Sequence, residues 1–115
     1  MLHGWIGVDL DGTLATYEPH SAPALGQPIP EMVARIKKWL KQGIAVRIVT
    51  ARASHPDFTE VERAAVEQWL LEHVGTVLPI QCHKDYQMIE LWDDRVVQVE
   101  TNTGRKIGIS RLGFS

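Results

Sequence analysis

Four carboxylates are the residues most able to do chemistry, and they come in two pairs: Asp9 with Asp11, and Asp93 with Asp94. Each pair follows an apolar run, Trp5-Ile6-Gly7-Val8 in the first case and Met88-Ile89-Glu90-Leu91-Trp92 in the second. Along a strand, residues two apart share a face and neighbours oppose, but where a strand ends the backbone turns and both members of a pair can reach one crevice. Gly12 permits that turn after Asp9 and Asp11. Four converging carboxylates repel one another, and a divalent cation between them relieves the repulsion. An all-oxygen set favours Mg²⁺ over zinc or copper, and the bound metal attracts a phosphate.

Other residues stand at similar places. Thr50 ends the β-branched run Ile44-Ala45-Val46-Arg47-Ile48-Val49, and Arg52 comes two residues later. Arg52 is a candidate contact to a substrate phosphate or base, and Arg95 comes directly after the second acidic pair; both also suit plain neutralisation of nearby acids. His55 and His83 read as polar loop residues, because no zinc-type histidine spacing is present. Cys82, the single cysteine, reads as a small apolar residue of the run Val77 to Cys82. Trp5, Trp39, Trp69 and Trp92 fall in strand or helix patterns and are expected in the core.

The elements that must position these groups alternate between strand and helix. Strands are expected at Trp5–Asp9, Ile44–Thr50, Val77–Cys82 and Met88–Trp92. Pro30 to Gln42 reads as a first helix, with proline in its first turn and Gly43 at its end. A second helix opens on the capping-box-like Asp57-Phe58-Thr59-Glu60 and stops near Gly75. Between Leu14 and Pro28, Pro19, Pro23, Gly26 and Pro28 prevent a continuous helix and leave a loop or small flap. Residues 95–102 read as a short helix closed by Gly104, with Lys106 to Ile109 as a last strand. The pattern predicts an α/β fold with a mainly parallel sheet covered on both faces, whose ligands bind beyond the carboxyl ends of the strands.

The ordered set from Asp9 to Asp94 resembles the haloacid dehalogenase superfamily of phosphohydrolases. The resemblance implies a three-layer Rossmann-like fold. It implies that Asp9 attacks phosphorus to give a phosphoaspartate, and that Asp11 protonates the leaving oxygen and then activates water. By the same resemblance, the Asp11 backbone carbonyl helps to bind Mg²⁺. Thr50 matches the hydroxyl that binds a phosphoryl oxygen, and Lys84 the lysine that offsets charge on nucleophile and phosphate. Asp93-Asp94 match the acidic pair, with Asp94 the direct metal ligand and Asp93 orienting it or a bound water. Thr13 is left as local support. The segments Ile48–Arg52 and Trp92–Val97 also resemble the phosphatase half of phage-type polynucleotide kinases.

At 115 residues the chain has the size of one domain, without room for the cap that many members of this superfamily carry. Residues 14–28 suffice only for a flap, so the site is expected to be open. Openness favours a large phosphorylated substrate, such as a nucleic-acid end or phosphoprotein, or assembly into an oligomer that shelters a small one. Net charge of -2 does not advertise a duplex binder, though it leaves a local basic rim open. No basic leader or membrane-length apolar run occurs, and with one cysteine a reducing, cytoplasmic setting is expected. The function expected is Mg²⁺-dependent phosphomonoester hydrolysis. The alternatives are a nucleic-acid 3′-phosphatase and a phosphate- or metal-binding regulatory domain without turnover.

Overall fold

A computed structural model describes residues 3–21 and 24–113 of the chain. Met1 and Leu2 of the amino terminus and Pro23 of the expected flap lie outside the described residues. A four-stranded parallel sheet has the order β3-β2-β1-β4, formed by β1 (Trp5–Val8), β2 (Ala45–Val49), β3 (Ile80–Gln81) and β4 (Met88–Trp92). Helix α1 (Pro30–Lys41) joins β1 to β2, and α2 (Glu60–His73) joins β2 to β3. Among the described residues no helix is long and apolar enough to cross a membrane.

β1 lies between β2 and β4, and all four of its residues are buried. Its alternation sorts the sheet into two unlike faces. Ile6 and Val8, with Val46, Ile48 and Ile80, form one core with Met32, Val33 and Ile36 of α1 and Val66, Trp69 and Leu70 of α2. The two strand-helix-strand crossovers run in the same direction across the sheet, so right-handed connections bring both helices to that face. The expected helical cover on both faces, and with it the three-layer arrangement, is therefore not found among the described residues. The connection from β3 to β4 has only residues 82–87 and holds no helix that would supply the third layer.

Side chains cover the other face instead. Trp5 is almost fully buried there, beneath the Arg47 guanidinium 4.7 Å above its ring. Its indole donates to Asp85 Oδ1 at 2.9 Å, and Arg47 lies 3.6 Å from the same carboxylate. The Gln87 N–H, and after it the Trp5 indole, hold the Asp85 carboxyl below the usual carboxylate range. Gly7 makes room: a Cβ there would stand 3.1 Å from Trp5, Val49 and Leu91 side-chain atoms alike.

Three further differences from the sequence expectation have local causes. α2 is capped by Thr59, whose hydroxyl accepts from the Glu62 N–H at 3.3 Å, so the Thr-x-x-Glu box sits two residues later than the one beginning at Asp57. β3 is two residues long, because Pro79 has no N–H to give and the chain joins the edge only at Ile80. The tail is a hairpin, not a helix followed by a strand: β5 (Gln98–Val99) pairs antiparallel with β6 (Lys106–Ile107). Asn102 at φ 66° and Gly104 at φ 76° turn the chain, and Glu100 pairs with Arg105 across it. β-branched Val96, Val97 and Val99 fit that extended backbone better than a helix.

The 14–28 segment is anchored more firmly than an isolated flap. Leu14 and Ala15 are fully buried, Ala15 bridges Asp11 and Pro28, and the Trp69 indole donates to the Gly26 carbonyl at 2.9 Å.

Candidate active site

The carboxyl ends of β1, β2 and β4 are level with one another in register, Val8 lying beside Ile48 and Trp92. The residues that come directly after these strands are thereby delivered to one edge. The Asp9 N–H donates to the Trp92 carbonyl at 2.9 Å and the Thr50 N–H to the Gln81 carbonyl at 2.8 Å, which extends the sheet by one step at the site. A cavity of ≈ 470 Å³ opens there, lined among others by Asp9, Asp11, Thr50, Arg52 and Asp93.

Asp9, Asp93 and Asp94 each present a carboxylate oxygen within 4.8 Å of the other two. Thr13 ties them: its hydroxyl donates to Asp94 Oδ1 at 3.0 Å, accepts from the Asp94 N–H at 3.1 Å and lies 3.5 Å from Asp9 Oδ2. Asp93 is fixed by the Arg95 N–H, which donates to its Oδ1 at 2.7 Å. Burial, together with the charges of Asp93 and Asp94, raises the Asp9 carboxyl from 3.8 to about 7. That rise is the electrostatic signature of a carboxylate crowded by like charges in a partly dry site. The three oxygens suit a hard divalent ion such as Mg²⁺, and charge compensation is the fit they most need.

Gly12 makes the crowding possible. Its φ is +91°, and a Cβ there would stand 2.6 to 3.0 Å from the three carboxyl atoms of Asp94. The glycine thus serves both the turn and the close approach of the second acidic pair to the first.

Asp11 faces elsewhere. Arg52 grips it as a fork, Nε to Oδ2 at 2.7 Å and Nη2 to Oδ1 at 2.8 Å. The hydrogen bond to Asp11, over a smaller opposing effect of burial, raises the Arg52 guanidinium above its ordinary value. The Asp11 carboxylate is accordingly outside the triad of acids, although the Asp11 carbonyl was the atom expected to help with the metal. Thr50 is 2% exposed and caps the short 3₁₀ turn Ala51–Ser54, its hydroxyl accepting from the Arg52 N–H at 3.2 Å. The proton of that hydroxyl remains available to a ligand in the cavity.

Of the residues singled out in the sequence, Asp9, Asp11, Thr50, Arg52, Asp93 and Asp94 come together. Lys84 does not line this cavity. It is exposed and borders a separate groove with Met88, Leu91 and Ile107. The cationic side chains of the cavity wall are arginines, Arg52 and Arg95. Cys82, expected to be buried, is exposed and lies on the same wall, because β3 ends at Gln81 and the chain turns outward there. Tyr17, with Arg95 6.0 Å from its ring centre, was not legible as a site residue at all. Its one sequence signal was membership of the loop that comes after Asp11. Comparison with protein-family models, curated proteins and solved structures finds no match for the chain, so what this site does is argued from its own residues.

Proposed function

We propose that the chain is a Mg²⁺-dependent phosphomonoester hydrolase of the capless haloacid dehalogenase type, working through a phosphoaspartate on Asp9. The observation that carries this reading is the meeting, at one edge of a parallel sheet, of a crowded acid triad and a separate acid held by a guanidinium. A merely solvated cluster of acids would not need the second acid, the buried threonine or the glycine that admits Asp94.

The roles are those that the family resemblance implies, and the geometry is compatible with them. Asp9, Asp93 and Asp94 would hold the cation, which supplies charge neutralisation for the nucleophile and for the phosphoryl oxygens. An Asp9 oxygen attacks phosphorus, the bond from phosphorus to the leaving oxygen breaks, and Asp11 gives that oxygen its proton. Water then attacks phosphorus, passes a proton to Asp11, and the bond from Asp9 to phosphorus breaks to release inorganic phosphate. Thr50 donates to a phosphoryl oxygen. Arg52 and Asp11 satisfy one another before substrate arrives; an incoming phosphate competes for the guanidinium, and the freed Asp11 carboxylate takes from the phosphate monoanion or from water the proton that it then gives to the leaving oxygen.

The test is phosphate release from an aryl phosphate by the purified chain. Release with Mg²⁺ and its loss on chelation are expected; an equal rate in both conditions would remove the cation from the account.

A further inference from the structure

A second cavity of ≈ 490 Å³ adjoins the first, and the two share Asp11, Tyr17 and Arg52 as a common wall. This sharing fixes a direction. Asp11 must meet the leaving oxygen, while Asp9, which takes the phosphorus, lines the first cavity alone. A phosphoryl group at Asp9 with its leaving oxygen at Asp11 therefore points the rest of the substrate into the second cavity.

The lining of that cavity is selective. Val66 is buried and Phe58 half-buried, and with Tyr17 they offer an apolar and aromatic floor. Arg63 already lies over the Phe58 ring at 5.1 Å and donates to the Ile80 carbonyl, which fixes that ring in place. Two carboxylates, Asp57 and Glu62, stand on the rim. Arg52, which pairs with Asp11 and also feels the charge of Glu62, is the one lysine or arginine among the described residues lining this cavity, against three acids. His55, on the same rim, accepts the Asp57 N–H at its Nδ1 at 3.1 Å.

We propose that this cavity seats the leaving alcohol and selects phosphomonoesters whose leaving group is an uncharged alcohol with an apolar body and no second anionic group. The proposal rests on the phosphatase reading above. A nucleoside-sized alcohol stacks on Tyr17 and Phe58 and donates hydroxyl protons to Asp57 or Glu62. A leaving group that carries another phosphate meets those same carboxylates and is repelled. A nucleic-acid end, anionic at every step, is disfavoured for the same reason.

A matched pair of substrates separates these cases: a nucleoside 3′-monophosphate and the corresponding 3′,5′-bisphosphate, assayed with Mg²⁺ at pH 8 beside an aryl phosphate. The wild-type chain is expected to favour the monophosphate by about tenfold in kcat/KM, the summed repulsion of a second phosphate by two exposed carboxylates. Asp57→Asn with Glu62→Gln should bring the two within about threefold, and added salt should narrow the wild-type preference in the same direction. Turnover of the aryl phosphate with equal rates on the pair, or with a ratio the double variant leaves unchanged, would overturn the subsite and leave the phosphatase reading standing. Absence of turnover on all three would overturn both.

Discussion

Replacing Asp9 by Asn is expected to remove turnover, by on the order of 10⁴-fold or more, and at the same time to make the metal-free protein more stable above neutral pH. The first effect follows from loss of the proposed nucleophile. The second follows from burial of Asp9 and its crowding by Asp93 and Asp94, which raise its carboxyl from 3.8 to about 7. A group whose folded-state value lies above its unfolded one costs nothing below the lower value, where both states are protonated. The cost grows as pH rises through the window from about 4 to about 7 and is complete above it. Because the group is half-exposed, solvent screening holds the gain for Asn to about 1–2 kcal/mol at pH 8, a shift of several degrees in Tm. Thermal melts of both proteins at pH 5 and pH 8 in chelator check this. The gap should be small at the lower pH and widest at the higher, and Mg²⁺ should stabilise the wild type more than the variant. A variant less stable than wild type at pH 8 would mean that Asp9 is held by favourable contacts and not by compression.

Gly12→Ala should be nearly as damaging without touching a carboxylate. The methyl group would have to occupy φ +91° and come within 2.6 Å of Asp94 Oδ2. Strain at such a backbone position costs about 1–3 kcal/mol, and the clash falls on the side chain expected to bind the metal most directly. Displacement of Asp94 by about 1 Å is enough to cost on the order of 100-fold in turnover. Titration of activity against Mg²⁺ should show half-saturation moving to much higher concentration, while circular dichroism reports the wild-type helix content. Unchanged Mg²⁺ dependence would show that Asp94 moves aside at no cost and that the contact with Gly12 is incidental.

The acid pairs were legible because each ends an apolar strand of the central sheet, and a strand's carboxyl end is where chemistry gathers in a parallel sheet. β4 has the bounds that periodicity suggests, β1 stops one residue before the expected Asp9, and Thr50 comes directly after β2. Partners distant in sequence were not legible. Arg52 and Asp11 are 41 residues apart, and nothing in either segment names the other. Lys84 stands in a turn before β4, but a turn does not say which groove its side chain borders. The two-layer arrangement had the same cause: strands were visible in the sequence, while the side on which each connection crosses depends on strand order. In the tail, Asn102 and Gly104 carried a turn signal, and the apolar residues before them suited strand as well as helix.

The most direct test of the central claim is chemical trapping of the intermediate. The chain is mixed with a saturating aryl phosphate and Mg²⁺, quenched in acid, and treated with tritiated borohydride, which reduces an acyl phosphate to the alcohol. Tritiated homoserine is expected at position 9, dependent on Mg²⁺ and missing from the Asp9→Asn variant. Label at any other residue, or phosphate release that proceeds in the Asn variant with no label at position 9, would contradict it.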